Sequence, residues 1–187
     1  LLASIADTES PQGIVLIGQR PTAELSEAFA SGRPGGLPIV LLLSRLNNPA
    51  NLGAIFRAAE ASGVRTVITS AGSADAFSPK ALRASMGSAF RLRVVEKADE
   101  HEVIADARRA RFQVSGTTAN GAAAHTAVDW TQKRLLIFGS EASGISPELE
   151  AALDERIAIE MEKPVESLNL AVSAGVILFE ARRQVYG

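Results

Sequence analysis

The chain has 187 residues, of which 47% are hydrophobic and 21% are charged, and its formal net charge is −2. This composition is typical of one globular domain with a substantial core and excludes a disordered or collagen-like chain. The absence of cysteine excludes disulfides, thiolate metal sites and a cysteine nucleophile. No apolar run approaches the roughly 20 residues that span a bilayer, and no signal peptide is visible, so we expect a soluble cytoplasmic protein.

Short runs rich in β-branched residues and leucine alternate with helical patterns along the chain. The predicted strands, in chain order, cover residues 13–18, 38–44, 65–70, 91–95, 112–117, 134–139 and 156–161. The predicted helices cover 22–30, 51–62, 79–86, 99–110, 147–153 and 167–185, and residues 31–38 form a glycine- and proline-rich loop. Apolar strands that alternate with helices favour an α/β fold, in which a mainly parallel sheet carries helices on both faces.

The ionisable residues are unevenly distributed. Residues 45–93 contain seven basic and two acidic residues, so this segment carries +5 while the rest of the chain carries −7. Such a distribution fits a local phosphate-binding face, although chance clustering on a solvated surface explains it equally well. His101 and His125 are far apart and lack the spacing of metal ligands, so we expect two surface residues and no metal site.

In open α/β sheets, ligands bind beyond the carboxyl ends of the strands, so the segments that follow the strands are the candidate sites. After strand 38–44, Pro49 and the neighbouring asparagines form a turn, and Asn51 can cap the next helix. Gly53 permits a close backbone approach, and Arg57 lies on the same helix face at i, i+4 spacing. A capped helix with a surface arginine is the alternative interpretation.

A glycine-containing loop follows strand 134–139. Gly139 and Gly144 bracket Glu141, an arrangement that is neither the dinucleotide fingerprint G-x-G-x-x-G nor a phosphate-binding P-loop. An acidic residue in such a loop disfavours binding of a pyrophosphate and tolerates a cation. A plain turn between two elements is the alternative interpretation of this segment.

Three polar residues stand at the start of the last predicted helix. Only one of Ser167 and Asn169 can serve as the N-cap, so the other, with Glu166 beside it, is free to face a ligand. Residues 168–179 are apolar on nearly every side, which predicts a buried helix. Gly175 costs about 1 kcal/mol relative to alanine, so we expect another helix, of this chain or of a second copy, to pack closely there.

Three motifs occur in a fixed order: N-x-G-x-x-x-R at 51–57, G-x-E-x-x-G at 139–144 and I-x-M-(x)5-S-L-N-(x)4-A at 159–174. Together they resemble the three motifs of the SpoU/TrmH family of SPOUT RNA methyltransferases. The segments TESPQG (8–13) and RASMGSAFRL (83–92) are also similar to that family's opening segment and middle helix. The resemblance therefore covers essentially the whole chain.

The resemblance implies that residues 1–187 form the catalytic domain of such an enzyme, with a deep trefoil knot in the C-terminal part. It also implies that the knot loops bind S-adenosyl-L-methionine and that a homodimer forms through the knotted regions. The implied reaction is methylation of a ribose 2′-hydroxyl of RNA, with large-subunit ribosomal RNA favoured over transfer RNA. Because the chain starts without Met, we also expect that an N-terminal RNA-binding domain is missing from it.

The resemblance also assigns the site residues. Those that would surround the transferable methyl are Asn51, Arg57, Glu141, Ser167 and Asn169. Those that would bind the cofactor are Thr117, Thr118, Ile137, Phe138, Gly139, Gly144, Ile159, Met161, Ser167, Leu168 and Asn169.

Arg57 poses a chemical question, since it is often cast as the residue that activates the hydroxyl. A guanidinium with a pKa above about 12 is a poor proton acceptor, so we expect Arg57 to hold an RNA phosphate and to stabilise the developing alkoxide. Glu141 or a water then takes the proton, or Glu141 only orients Asn51 and Arg57. An arginine contributed by the partner protomer is a further alternative.

Two positions depart from the family pattern. Glu160 stands where the family usually has a proline, and the family also tends to have a proline near Arg93. Because Glu160 adds a charge beside the cofactor loop, the main rival interpretation is an RNA-binding module whose cofactor site has drifted. A nucleotide-dependent oxidoreductase is disfavoured, because neither G-x-G-x-x-G nor a P-loop is present.

Overall fold

The computed structural model describes residues 14, 17–30, 35–119, 121 and 123–187. These residues form one seven-stranded sheet in which every strand pair is parallel, in the order β3-β2-β1-β6-β4-β7-β5. The strands are β1 (Ile39–Leu43), β2 (Thr66–Ser70), β3 (Arg93–Ala98), β4 (Gln113–Thr117), β5 (Ala123–Ala124), β6 (Arg134–Phe138) and β7 (Glu155–Ala158). The predicted parallel sheet is confirmed.

The described helices alternate with these strands. They are α1 (Pro49–Ser62), α2 (Pro79–Ser85), α3 (Ser88–Arg91), α4 (Glu100–Arg109), α5 (Pro147–Ala151) and α6 (Leu170–Tyr186). A short 3-10 helix, Leu25–Glu27, precedes β1. None of the helices in the described ranges is long and apolar enough to cross a bilayer.

The sheet buries both of its faces, because its central strands are apolar along their whole length. All five residues of β1 and all five of β6 are buried. Successive side chains point to opposite faces of a strand. The register partners Leu41 and Leu136 therefore pack with α1 and α6 on one face, whereas Leu42 and Ile137 pack with α4 and α5 on the other. The prediction of helices on both faces is confirmed.

Helix α1 packs closely against α2 at Gly53. A Cβ placed on Gly53 would lie 2.3 Å from the carbonyl oxygen of Ala81 and 2.7 Å from the Cβ of Ala84. Only glycine fits at this distance, so the predicted close approach is confirmed and its partner is α2. On its other flank α1 packs against α6, where Arg182 donates a hydrogen bond to the carbonyl of Ser62 at 3.2 Å.

A buried arginine joins three strands at the amino-terminal edge of the sheet. Arg134 begins β6 and is only 2% exposed. Its guanidinium donates to Ser115 in β4 and, at 2.5 Å, to Glu155 at the start of β7. The same group lies 5.2 Å from the ring centroid of the fully buried Trp130. This edge is therefore held by an ion pair between a buried arginine and a partly exposed glutamate, with further hydrogen bonds.

The N-terminal part differs from the prediction. Within 13–18, only residues 14, 17 and 18 are described, and none of them is in a strand; Ile14 and Ile17 are exposed. An apolar run forms a strand only where a sheet edge pairs with it. The predicted helix 22–30 is reduced to Leu25–Glu27, because no side chain caps its start and only Ala28 and Phe29 are buried.

Helix boundaries also differ near the middle of the chain. The predicted helix 79–86 ends at Ser85, because Met86 (φ 49°) and Gly87 (φ 85°) adopt left-handed backbone conformations, and α3 follows. The strand predicted at 91–95 starts at Arg93. Strand β5 was not predicted, since two alanines carry no strand pattern; its pairing with β7 creates it.

The last helix is not buried on all sides in the single chain, so that prediction is wrong. Ala174, Ile177, Leu178 and Ala181 are buried, whereas Val172, Val176 and Phe179 face solvent. Among the described residues nothing lies within 4 Å of a Cβ placed on Gly175, so none of the described helices packs there. Because α6 lies on the outside of the sheet, one of its two apolar faces stays uncovered.

The histidines differ from each other. His101 is exposed as predicted, but His125 is half-buried and its Nδ1 has no hydrogen-bond partner. The backbone of His125 is fixed, because it donates to Ala158 and accepts from the indole of Trp130 at 2.8 Å. In the part of the chain that the structure describes, no three acidic or histidine side chains are grouped as metal ligands would be.

Candidate active site

The loops after β4, β6 and β7 meet at the carboxyl edge of the sheet, where these strands are neighbours. Together with the start of α6 they line a cavity of about 420 Å³. The lining residues are Thr117, Thr118, Ala119, Ser140, Glu141, Gly144, Ile157, Ile159, Met161, Glu166, Ser167, Leu168, Asn169, Leu170, Ser173 and Ile177. This is the position that a ligand is expected to take in an α/β sheet.

The loop after β6 is closed by backbone hydrogen bonds. Ser140 and Gly144 exchange two of them, with N–O distances of 3.0 and 2.9 Å. A Cβ on Gly139 would lie 2.1 Å from the carbonyl carbon of Gly144, and Gly144 has a left-handed φ of 65°. Both glycines are therefore required by the turn, which holds Glu141 out at its tip as an exposed carboxylate.

A chain of polar side chains joins three loops at the mouth of the cavity. The Asn51 amide nitrogen donates to the Glu141 carboxylate at 2.8 Å. The Asn169 amide nitrogen donates to the Asn51 carbonyl oxygen at 3.2 Å. Asn51 and Asn169 are 118 residues apart in sequence, so the fold alone brings these groups together. We call Asn51, Glu141 and Asn169 the polar triad.

The helix caps explain which polar side chains near the cavity are free to face a ligand. Asn48, not Asn51, caps α1 by accepting from the Ala50 amide at 2.9 Å, so the prediction of Asn51 as a cap is wrong. A residue already inside the first helical turn cannot cap it, and the Asn51 side chain turns to Glu141 instead. At α6, Asn169 is the cap and accepts from Ala171 at 2.9 Å. Ser167 is therefore the residue left to face the cavity.

The cavity combines apolar walls with one unsatisfied hydroxyl. Ile157, Ile159 and Leu168 supply apolar surface. The hydroxyl of Thr118 is buried and has no hydrogen-bond partner, whereas that of Thr117 donates to the Ile137 carbonyl at 3.3 Å. A buried polar group without a partner costs free energy, so a ligand that bonds to Thr118 would recover it. The walls and this hydroxyl suit a ligand with a flat apolar part and polar substituents.

The structure places the predicted site residues in two groups. Those that line the cavity are Thr117, Thr118, Glu141, Gly144, Ile159, Met161, Ser167, Leu168 and Asn169. Asn51 joins them through Glu141. Ile137 and Phe138 do not line it, because both are fully buried in β6 on opposite faces of the sheet, and Gly139 lies beneath Gly144.

Arg57 lies away from the cavity of its own chain. It is exposed on α1, about 9 Å along the helix axis from Asn51. Within the described ranges it makes no hydrogen bond or ion pair. Positions six apart on a helix differ by about 120° around its axis, so Asn51 and Arg57 leave α1 in different directions.

Sequence reasoning missed several lining residues. Ser173 and Ile177 follow Asn169 at i+4 and i+8, so helical spacing from a known site residue could have identified them. Four more lining residues lie within two positions of a predicted site residue along the chain: Ala119, Ser140, Ile157 and Leu170. Glu160 is exposed and does not itself line the cavity, but its neighbours Ile159 and Met161 do, so its charge lies beside the cofactor loop.

Comparison with known proteins places these observations in a family. The model of the SpoU rRNA Methylase family matches residues 38–179. An uncharacterized tRNA/rRNA methyltransferase of Synechocystis is 33% identical over 98% of this chain and 65% of its own length. A 23S rRNA (uridine(2479)-2′-O)-methyltransferase of Streptomyces viridochromogenes is 34% identical over 94% of this chain and 62% of its own length. The chain thus spans less than two thirds of either relative.

A solved structure shows the same fold. The SpoU methyltransferase AviRb of Streptomyces viridochromogenes, in complex with the cofactor AdoMet, superimposes with a TM-score of 0.79 at 34% identity. The match covers 88% of this chain and 66% of that one.

Proposed function

This chain belongs to the SpoU rRNA Methylase family, and we propose that it transfers a methyl group from S-adenosyl-L-methionine to a ribose 2′-hydroxyl of RNA. The polar triad carries the proposal. Asn51, Glu141 and Asn169 come from three separate motifs and meet through hydrogen bonds of 2.8 and 3.2 Å at the mouth of the cavity. No requirement of folding explains why Asn51 and Glu141 are joined on an exposed surface.

The cavity fits the cofactor. Ile157, Ile159 and Leu168 would contact the adenine, and the unpartnered Thr118 hydroxyl would bond to one of its polar groups. The cofactor supplies a methyl group that is activated by a positively charged sulfur. Ser167 and Asn169, at the start of α6, would face the reacting end. The drifted-module alternative loses its main support, because Glu160 lies outside the cavity lining.

The residues of the triad would position and activate the ribose. Glu141 is the proposed proton acceptor for the 2′-hydroxyl, and the amide of Asn51 fixes its carboxylate. Asn169 fixes Asn51 in turn, so the three side chains form one preorganised unit. Arg57 is the proposed cation for the RNA phosphate and for the developing negative charge on oxygen.

The position of Arg57 supports a homodimer in which this residue serves the partner's cavity. It does not line the cavity of its own chain. The exposed Val172, Val176 and Phe179 of α6 form an apolar face that a second copy would cover, and the open space at Gly175 permits a close helix contact. A trefoil knot in the C-terminal part of the chain is included in the same proposal, supported by the family match and the similarity to AviRb.

Large-subunit ribosomal RNA is the proposed substrate in the cytoplasm, with transfer RNA as the alternative. The support is the name of the Streptomyces relative, a 23S rRNA 2′-O-methyltransferase. An N-terminal RNA-binding domain, outside this chain, is also part of the proposal, because the chain spans only 65% and 62% of the two relatives.

The test is transfer of labelled methyl groups to unmodified ribosomal and transfer RNA, followed by nuclease digestion and identification of 2′-O-methylated nucleosides. Label in ribosomal RNA is the expected result. Label only in transfer RNA would change the substrate, and label on a base would refute the ribose chemistry. Mixing Arg57→Ala with Glu141→Gln protomers tests the dimer, since about a quarter of wild-type activity should return only if Arg57 acts on the partner's cavity.

A further inference from the structure

Two large apolar side chains are exposed near the junction of α2 and α3, one at the turn between the helices and one in α3. Met86 is 67% and Phe90 57% exposed, and Phe77 lies beside Phe90 with a ring-centroid distance of 5.9 Å. We call Phe77, Met86 and Phe90 the apolar shelf. Single exposed hydrophobic residues are common, but a group of three next to exposed cations requires a reason.

The turn that carries the shelf has an unusual backbone. Met86 has a left-handed φ of 49°, a conformation that favours glycine. Arg91 lies beside this turn, because its guanidinium binds both carboxylate oxygens of Glu60 at 2.5 and 2.8 Å and also donates to the Met86 carbonyl at 3.4 Å. The hydrogen bonds from Arg91 also lower the pKa of Glu60, so Glu60 stays ionised and paired with Arg91.

The back of the shelf is already covered. The guanidinium of Arg20 lies 4.7 Å from the ring centroid of Phe77, and it is held there by ion pairs to Asp75 and Glu96. Arg20, Phe77 and Phe90 thus contact one another in sequence, with the Phe77 and Phe90 rings tilted by 50° to each other, and Phe90 remains 57% exposed. A flat group placed on Phe90 would extend this series of contacts.

The charges around the shelf suit a polyanion. The nearby acids Glu60 and Asp75 are paired with Arg91 and Arg20. Lys80 is exposed on α2, and Arg83 is exposed on the same helix face at i+3.

The shelf and the active site lie beside the same helix. Glu60, which is paired with Arg91 next to the shelf, follows Asn51 on α1 by about 14 Å along the helix axis. Helix α1 lies between α2 and α6, so the shelf is separate from the apolar face of α6 to which the homodimer is assigned. An RNA strand bound in the cavity would have to extend about this distance along α1 to reach the shelf.

We propose that Phe90, supported by Phe77 and Met86, stacks on an unpaired base of the RNA that flanks the methylated nucleotide, while Lys80 and Arg83 contact the adjacent phosphates. The shelf contributes affinity without reading sequence, because every base has an aromatic face. This inference rests on the proposed function for the identity of the strand, but stacking on Phe90 is measurable without methyl transfer.

The first test uses fluorescence. The sequence contains one tryptophan, Trp130, which is fully buried, so F90W reports on the shelf against a constant background. A short single-stranded oligouridylate should quench the additional emission of F90W, whereas inorganic polyphosphate, which supplies charge without bases, should not. Equal quenching by both, or by neither, would overturn the stacking proposal.

The second test separates stacking from folding and from dimer formation. F90A and F90L should weaken oligouridylate binding and raise KM for ribosomal RNA about 5- to 150-fold with kcat unchanged, and F90Y should stay within about twofold of wild type. Tyr186→Ala is the matched control, because Tyr186 is an exposed ring that also contacts an arginine, 5.0 Å from Arg182. It should leave RNA binding unchanged.

Four outcomes would decide the matter. Affinity of F90A within twofold of wild type would overturn the inference, and so would a change of F90A from dimer to monomer in sedimentation, which would assign the shelf to a second copy. If wild type binds S-adenosylhomocysteine and methylates RNA while F90W shows no quenching, only this inference fails. If F90W is quenched by oligouridylate but no RNA is methylated, the proposed function fails and the shelf stands as an RNA-binding site.

Discussion

The two edges of the same parallel sheet use polar side chains in opposite ways. At the amino edge, Arg134 is buried and bonded to Ser115 and Glu155 across three strands. At the carboxyl edge, Asn51, Glu141 and Asn169 are linked in a single chain of hydrogen bonds that leaves one side open to solvent. At the first edge the two terminal nitrogens of Arg134 have their partners within the chain and only its buried Nε lacks one in the described residues, whereas the groups at the second edge are exposed and still have bonding capacity for a ligand.

This difference separates structural from functional polarity. A buried ion pair is costly to break, because the remaining charge stays desolvated. An exposed network contributes little to stability, since water can replace each lost bond. Substitutions at the amino edge should therefore change folding and leave the chemistry intact, and substitutions at the carboxyl edge should do the reverse.

The largest expected effect is on catalysis. Glu141→Gln should lower the rate of methyl transfer about 10²- to 10⁴-fold, because the proposed proton acceptor is lost, while the urea midpoint stays unchanged. Steady-state kinetics and urea unfolding measure the two quantities. Glu160→Gln is the control, and wild-type activity is expected because Glu160 does not line the cavity. A Glu141→Gln enzyme with undiminished turnover would remove Glu141 from the chemistry.

The next effect is on stability at the other edge. Arg134→Ala should lower the free energy of unfolding by about 3 kcal/mol or more, because Glu155 and Ser115 lose a buried partner. Urea unfolding gives this value, and Arg156→Ala, which removes an exposed ion pair to Glu150, should cost under about 1 kcal/mol. Equal costs for the two variants would break the distinction between the edges.

Asn169 has both a structural and a functional task, and two substitutions separate them. Asn169→Ala should lose about 1 kcal/mol of stability with its helix cap and also lose the hydrogen bond to Asn51. Asn169→Ser should keep the cap and the stability but still lower the rate of methyl transfer roughly 2- to 10-fold. Unfolding and rate data on both variants test this, and full activity of Asn169→Ser would place Asn169 outside the catalytic unit.

A surface ion pair that belongs to neither edge gives the smallest effect. Hydrogen bonds from Arg183 and Gln184 lower the pKa of Glu180 to about 2 from 4.5. Since the folded-state pKa is depressed, the stabilisation is present above pH 4.5 and is lost as the pH falls towards 2. Glu180→Gln should cost under about 1 kcal/mol at neutral pH, and less than half of that near pH 3. A constant difference between the two proteins across this range would contradict the assignment.

Much of the fold could be predicted because the central strands are apolar on both faces, as in β1 and β6. The sequence could not show that Asn48 caps α1 in place of Asn51, since both are capping residues and only the local backbone decides between them. It also could not show which face of α6 is covered, because a uniformly apolar helix has no pattern that distinguishes core from interface.

The candidate site was predictable in its loops and less so in its contacts. Glu141 and Asn169 stand out at strand and helix ends, but their link through Asn51 depends on tertiary structure. The unsatisfied Thr118 hydroxyl is likewise invisible in sequence, since Thr117 beside it has the same chemistry and a partner within the chain.

The central claim, that the loops after β4, β6 and β7 form a cofactor site, is tested most directly by calorimetric titration with S-adenosylhomocysteine. Wild type should bind one ligand per protomer. Thr118→Val should bind roughly 2- to 10-fold more weakly while its unliganded form unfolds at higher urea, because an unpartnered buried hydroxyl is gone; Thr117→Val should bind as wild type does. No saturable heat with the folded wild-type chain at millimolar ligand would contradict the account.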